Sequence, residues 1–534
     1  MGAYLQGLGS FAGGMAFALG GAVLLIAGFG LGLTLEGRYR RWVLPALAAL
    51  ITLAPPAGVL LSGRNLADID FMVGMDAGGL SAWLLRLSTA SIVGIALVRI
   101  IGRLFRSQTG QARSATAATV EAAHTGLPLF LGFGAYYVGN VLLPAAFGTV
   151  PSFAVQMLYP LAVVGAIYMS RHYEPSDWLD AVKWSLLAFL VVSLLASAID
   201  SGLTTQYGSR ETRLPGMTYR YWGLGSNPNS IAPLALLLML LSIHRPFRYK
   251  LLTFLALALG ALVLLLAQSQ TTWGAAALVL APFTVYCLRH RHGAPAAEQG
   301  WTPMRLVVLA GMLLAVAFAA ALLIVELRVG SGVRNDFASA LEASRKSQDI
   351  SELSGRTQIW LIALDVWKQS PLFGYGPTLW SDTFRATWRV PFAFHAHNQF
   401  MQSLGAAGIV GVLGLLAYVG ALVVGALRAA RTSRGLAPAL VAVMLVRMVT
   451  EVPLELSTVL LGDFLFQLTT FVAVLGYLLR AERRRLAPAA PRRRSSGSGS
   501  GRRRRSSAWR SSSSGSPASS SRRGHRHADG EMAT

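Results

Sequence analysis

Apolar runs about 20 residues long recur almost throughout this chain of 534 residues, and nothing else in the sequence limits its fold so sharply. Wound as a helix at ~1.5 Å per residue, such a run crosses the ~30 Å hydrocarbon core of a bilayer. Hydrophobic residues make up 53% of the chain and charged residues 13%, against about 25% charged in an average soluble domain. A water-soluble fold of this length cannot hide that much apolar surface. The expected class is therefore all-α, a polytopic transmembrane helical bundle of about 12–14 spans.

The runs fall at 11–35, 42–62, 80–101, 127–148, 151–169, 181–200, 229–243, 250–268, 273–288, 304–327, 399–426, 436–453 and 459–480. Short basic connections follow the odd-numbered runs: EGRYRR (36–41), GRLFRSQTGQAR (102–113), HRPFRYK (244–250), RHRH (289–292) and RAARTSR (428–434). By the positive-inside rule this side is cytoplasmic. The loops 63–79, 201–228 and 328–398 then face outward, as does the N-terminus. The organisation expected is a bundle of about ten spans over 1–327, one large outer loop over 328–398, further spans over 399–480, and a tail over 481–534.

The net charge of +23 is partly a property of that tail, where 14 Arg face only Glu482, Asp529 and Glu531. Arg, Ser and Gly in such proportion cannot build a core, so a disordered cytoplasmic segment lying against anionic lipid is expected, with nucleic-acid binding the lesser alternative. The single cysteine, Cys287, excludes an internal disulfide and any cysteine-based metal cluster. MGAYLQG lacks a basic n-region, and Gln6 stands where a myristoylation motif needs Ser or Thr. Insertion is expected through the first apolar run.

Chemistry-bearing residues gather on the predicted outer side. Loop 328–398 is too long for a simple connection. It predicts an amphipathic helix capped by Ser354, with Ile359, Trp360, Ala363, Leu364 and Trp367 on the apolar face and Ser370-Pro371 as the stop. With two Trp on that face, the helix is expected to lie in the outer headgroup layer. Three helix starts carry polar groups: Arg220 ahead of Asn227-Pro228-Asn229, Arg356 in the first turn of the loop helix, and His395-Ala-His397-Asn398 with Asn398 as a cap. A helix N-terminus favours anions, and guanidinium binds phosphate in a bidentate way, so Arg220 and Arg356 suit a diphosphate. The same field disfavours an imidazolium, so His397 suits a general base. Each signal alone has a plainer reading: an interfacial Arg anchors headgroups, a histidine caps or packs, and Asn-Pro-Asn starts a helix. Glycines 405, 408, 411 and 414 are expected to permit close helix packing.

Taken together, LSGRTQIW (353–360), SPLFGYGP (370–377) and HAHNQFMQSLGAAGIVGV (395–412) resemble the signature region of the bacterial O-antigen ligase / O-antigen and exopolysaccharide polymerase superfamily. His397-Asn398, nine residues, Gly408, two residues and Gly411 fit the ligase pattern, and RYWGLGSNPN (220–229) resembles an upstream segment of the same superfamily. The resemblance implies a metal-independent glycosyltransferase, without cofactor, that moves glycan from undecaprenyl diphosphate at the periplasmic face of the inner membrane. Arg220 and Arg356 would bind the diphosphate and His397 would activate the acceptor hydroxyl. The acceptor would be another lipid-linked repeat for a polymerase, or lipid A–core or protein for a ligase; polymerase is favoured. The chain departs from the pattern at Gln270, where many members have a basic residue, in its thirteen-span count, and in its tail.

Arg447 and Glu451 lie four residues apart within an apolar run. Intramembrane charges mark function by default, while an i,i+4 neutralising pair is the structural alternative. A transporter or channel would also carry many spans and buried charges, but would not need Arg356 and His397 in an outer loop.

Overall fold

The computed structural model describes residues 20–21, 23–67, 79–108, 125–170, 174–208, 214, 217–291 and 352–486. These residues belong to one compact unit, Met1–Ala487. Among them eight helices are long and apolar enough to cross a membrane, and four shorter apolar helices accompany them. In chain order the helices are α1 Val23–Gly37, α2 Val43–Leu60, α3 Leu80–Gln108, α4 Leu127–Phe147, α5 Tyr159–Met169, α6 Pro175–Ile199, α7 Pro228–His244, α8 Lys250–Ala267, α9 Gln270–Arg291, α10 Glu352–Gln369, α11 Asp382–Trp388, α12 Gln399–Ala429, α13 Leu436–Thr450 and α14 Gly462–Leu486. A two-stranded antiparallel hairpin, β1 Thr205–Tyr207 and β2 Tyr219–Tyr221, precedes α7. The chain is an all-α polytopic membrane protein. Every expected span has its helix except 304–327, which lies outside the described residues with 328–351 and the tail beyond 486.

The loops expected to share a side do meet one another. At one end Arg245 pairs with Asp180 at 2.8 Å, Arg480 with Glu174 at 3.7 Å, and the Cys287 thiol donates to the Arg434 carbonyl. Nearby, fully buried Arg99 grips the Glu36 carboxylate through both oxygens at 2.7 Å and donates to Ser170. At the other end the β-hairpin, the start of α7, the start of α12 and the loop after α13 converge, as described below. One continuous apolar core, including Phe133, Trp178, Leu237, Tyr418 and Phe471, runs through the bundle. Gly28 and Gly94 let α1 and α3 cross backbone to backbone, since a Cβ at Gly28 would stand 2.3 Å from the Ala90 oxygen.

The loop helix α10 is present, but it starts earlier than Ser354 predicts. Ser354 lies inside the helix, and Arg356 sits beyond its first turn. The buried face is also rotated: Ile359, Ile362, Ala363 and Val366 pack against Leu379, Trp380, Phe384 and Met401 in a second, smaller core. The helix therefore turns this face to Leu379, Trp380 and Phe384 of its own loop and to Met401 of α12. Trp360 is only partly buried there, and its indole donates to the Ala396 carbonyl at 2.7 Å.

This loop lobe is fastened to the bundle at a break in α12. Gly408 has φ 64° and ψ −158°, a conformation outside the helical region and essentially confined to glycine. The break exposes peptide groups that the chain after α10 then satisfies. Tyr375 and Gly376 donate to the carbonyls of Gly405 and Ala406 at 2.9 and 3.0 Å, while Ile409 and Val410 donate to Pro371 and Leu372 at 2.9 and 3.2 Å. Thr149 and Val150, just after α4, donate to Gly374 and Tyr375 from the other side. Gly408 is therefore needed for its backbone, not only for close packing. A Cβ there would lie 2.5 Å from the Leu372 carbonyl carbon, whereas one at Gly420 in the same helix meets nothing within 4 Å. Gly408→Ala is expected to cost about 2–4 kcal/mol, and Gly420→Ala to be neutral or to stabilise by up to ~1 kcal/mol. Thermal unfolding of the two purified variants in detergent checks this; equal melting temperatures would remove the role given to the break.

Candidate functional site

The first wall of the site is the entry to α7. Asn227 accepts the Ser230 amide at 2.8 Å and the Ser230 hydroxyl accepts the Asn227 amide at 3.2 Å, a reciprocal capping box with Pro228 at the first helical position. The approach to this cap is tied by Arg64, which is 5% exposed. Its guanidinium donates to the carbonyls of Leu203 and Gly223, each at 2.6 Å, and of Gly225 at 2.7 Å. The hairpin then sets Arg220 opposite Gln206. Gln268, buried at the end of α8, donates to the Tyr219 carbonyl at 3.0 Å and steadies the same strand. Arg220 reaches Asn229 Oδ1 and the Ala267 carbonyl, both at 3.4 Å.

The second wall is the entry to α12. His397 has φ 48°, an uncommon left-handed conformation for a side-chain-bearing residue and a frequent mark of a functional position. Asn398 is the cap: its oxygen accepts the Met401 amide at 2.9 Å, and its amide donates to the Val449 carbonyl near the end of α13 at 2.9 Å. That tie brings the loop after α13 beside the two histidines. Glu451 Oε2 lies 3.7 Å from His397 Nδ1 and 3.9 Å from His395 Nε2, while Oε1 accepts from Asn229 Nδ2 at 2.8 Å.

Glu451 follows the last residue of α13, so helical i,i+4 geometry does not apply to it. The neutralising Arg447–Glu451 pair is accordingly not formed. Arg447, 1% exposed, instead meets Asp463 at the start of α14 at 2.5 Å and the Asn229 carbonyl at 3.2 Å. Burial acts to raise the Glu451 carboxyl, but the neighbouring His397 and Arg447 outweigh it, and the net shift is downward. Burial, then the neighbouring His397, lowers His395 to about 4; Glu451 opposes this while Arg356 and Arg447 add to it. His395 is thus neutral at pH 7. Its Nδ1 accepts the His397 amide at 3.1 Å, so its proton sits on Nε2, the nitrogen turned toward Glu451.

His395, His397 and Glu451 are spaced closely enough to hold a metal, their ligand atoms lying within 4.8 Å of one another. A ligating histidine offers one nitrogen to the metal and donates the proton on the other, yet here His395 Nδ1 already accepts a hydrogen bond and Nε2 carries the proton. His397 Nδ1 is buried with no hydrogen-bond partner and faces the carboxylate. Arg356 is half-buried, close enough to His395 to oppose its protonation, and meets no acceptor among the described residues.

All seven residues singled out from the sequence thus stand at one end of the bundle. His395 and His397 face Glu451, Asn229 joins Glu451 to Arg220, Arg356 lies near His395, Asn398 caps α12, and Arg447 meets the Asn229 carbonyl. Three participants were not singled out. Asn229 touches Arg220, Glu451 and Arg447 at once; its signal was its place one residue after the cap-and-proline pair. Asp463 was signalled as an acid opening an apolar run. Arg64 had no signal, because its partners are backbone carbonyls about 140–160 residues away. Chemically, the arrangement offers cations for a phosphate group, a histidine for a hydroxyl proton, and a carboxylate to balance the charge that the histidine gains.

Breaking the buried pair by Asp463→Asn is expected to destabilise the protein by about 3–5 kcal/mol, as an uncompensated guanidinium remains. Arg447→Met combined with Asp463→Leu is expected to lose much less. Thermal unfolding of the single and double variants measures the difference, and additive losses would show that the pair is not coupled.

No curated protein matches the chain. The family model described as O-antigen ligase matches residues 255–416, from α8 through α10 and α11 and past the Gly408 break in α12. The matched stretch contains Arg356, His395, His397 and Asn398; Arg220, Asn229 and Glu451 lie outside it. The chain is a multi-pass membrane protein by its helices, and the match over residues 255–416 supports its assignment to the O-antigen ligase/polymerase superfamily, a type of membrane glycan enzyme whose members handle a glycan donor and an acceptor.

Proposed function

We propose that this protein is a metal-independent glycosyltransferase of the bacterial inner membrane. It moves glycan from undecaprenyl diphosphate at the periplasmic face and acts as a surface polysaccharide polymerase. The observation carrying the reading is the His397–Glu451 arrangement beside two arginines. With Nδ1 turned toward Glu451, His397 has Nε2 left for the acceptor hydroxyl. The hydroxyl oxygen attacks the anomeric carbon of the donor sugar as the bond from that carbon to the diphosphate oxygen breaks. The proton passes to His397 Nε2, and the diphosphate leaves against Arg220 and Arg356. Glu451, kept ionised, balances the imidazolium, and Asn229 holds the carboxylate in place. Protonation of His395 on Nε2 supports a metal-free site.

A ligase reading has its own support in the description of the matched family and in the His–Gly spacing. It shares donor, base and leaving group, and differs in taking lipid A–core or protein as acceptor. Surface polysaccharide from a deletion strain separates the two: single repeats on core indicate a lost polymerase, bare core with lipid-linked chains accumulating a lost ligase.

In a purified transfer assay His397→Ala is expected to lower kcat by about 10²–10⁴-fold. His395→Ala is expected to lose less, since that side chain contributes a hydrogen bond to the His397 amide and no proton transfer. Near-normal turnover by His397→Ala would remove the assigned base.

A further inference from the structure

A cavity of about 1080 Å³ opens beside this site, on the opposite side of the first turn of α7. Asn229 faces Glu451, whereas the next residue, Ser230, lines the cavity; successive helical residues point about 100° apart. One wall is a stripe along α3, where Ala82, Arg86, Thr89, Ala90 and Val93 follow helical spacing. Arg86 is the only charged residue in the lining, and its guanidinium lies 5.3 Å from the Trp83 ring. Ser226 and Ser230 border the cavity near the α7 cap, and beyond them the walls are largely apolar, with Leu24, Leu234 and Leu465 among them. Neither Arg220, Arg356 nor His397 contributes to it. A cavity lined by one cation, several hydroxyls and otherwise hydrocarbon matches an anionic lipid with a long chain.

We propose that this cavity seats the hydrocarbon chain of a lipid-borne acceptor, a polyprenyl diphosphate carrying the glycan whose hydroxyl is to be extended. The assignment of an acceptor rests on the transfer reaction proposed above. The lipid's phosphates lie at Arg86 and the α7 serines, and its chain runs along the α3 stripe. A head group at the α7 serines then lies one residue along α7 from Asn229, which holds Glu451, while the donor diphosphate occupies Arg220 and Arg356. Acceptors anchored in the membrane are selected, and a soluble protein acceptor gains nothing from the cavity.

The test is the stoichiometry of undecaprenyl diphosphate on the purified full chain in detergent, read by native mass spectrometry. The wild type is expected to bind two equivalents, Thr89→Trp one, and Arg86→Gln two with the second weakened about tenfold by loss of its charge-assisted contact. The double variant Arg220→Gln/Arg356→Gln is expected to lose the other equivalent. Should that double variant keep both while Thr89→Trp loses one, the donor reading falls and the cavity stands as a lipid site. Unchanged stoichiometry and affinity in Thr89→Trp and Arg86→Gln together overturn the proposal; if Thr89→Trp does not fold, Arg86→Gln alone decides. Displacement of the second equivalent by phosphatidylglycerol at equal concentration also overturns it, since the site would then take anionic lipid in general.

Discussion

Hydrocarbon offers no water to a peptide group that has lost its partner, so a helix broken within a bundle must find replacement donors and acceptors in the protein. The break at Gly408 meets this requirement through the chain that follows α10, with two amides and two carbonyls exchanged across the gap. Those four bonds do more than repair α12. They anchor the loop lobe to the bundle, and the lobe's small core holds α10, which carries Arg356, against the segment ending in His395 and His397. The nine residues between Asn398 and Gly408 thus measure the distance from a capped helix start to the place where the lobe is fastened. Gly411 completes the joint on the other side, where Asn140, in a π-turn of α4, donates to its carbonyl at 2.8 Å.

Electrostatics at this end of the bundle follow from which groups are paired first. Arg447 meets Asp463 and the Asn229 carbonyl, which leaves Glu451 to the histidines. Asn229 connects the two arrangements, donating to Glu451 through its side chain while its backbone carbonyl accepts from Arg447. A buried pair is a weak source of net stability, but here it fixes the direction of a neighbouring carboxylate. The carboxylate in turn faces Nδ1 of His397, and under the proposed reaction this leaves Nε2 for substrate.

Much of this was legible in residue order. The spans followed from run length, and the sides on which loops meet followed from the basic residues between runs. Helix starts at Asn227-Pro228 and Asn398 were readable because capping is local chemistry, decided within four residues. The Ser354 start was misjudged for the same reason: local propensity named a cap, whereas the helix already runs from Glu352. The apolar face of α10 was misplaced because two Trp suggested lipid, whereas Ile362 and Val366 found a protein partner. The Arg447–Glu451 pairing failed because it assumed a helix that ends at Thr450.

By itself the sequence determined that this chain spans a membrane many times, and which helix starts carry arginine, asparagine and histidine, because hydropathy and capping depend on near neighbours. Only the tertiary structure decided that Asn229, Glu451 and His397 share one space, that Asp463 rather than Glu451 neutralises Arg447, and that Arg64 ties the α7 approach through bare carbonyls. Arg447 and Asp463 stand 16 positions apart across a helix end, and the other contacts join residues about 50–220 positions apart; a carboxylate or carbonyl so placed leaves no periodicity for a sequence to display.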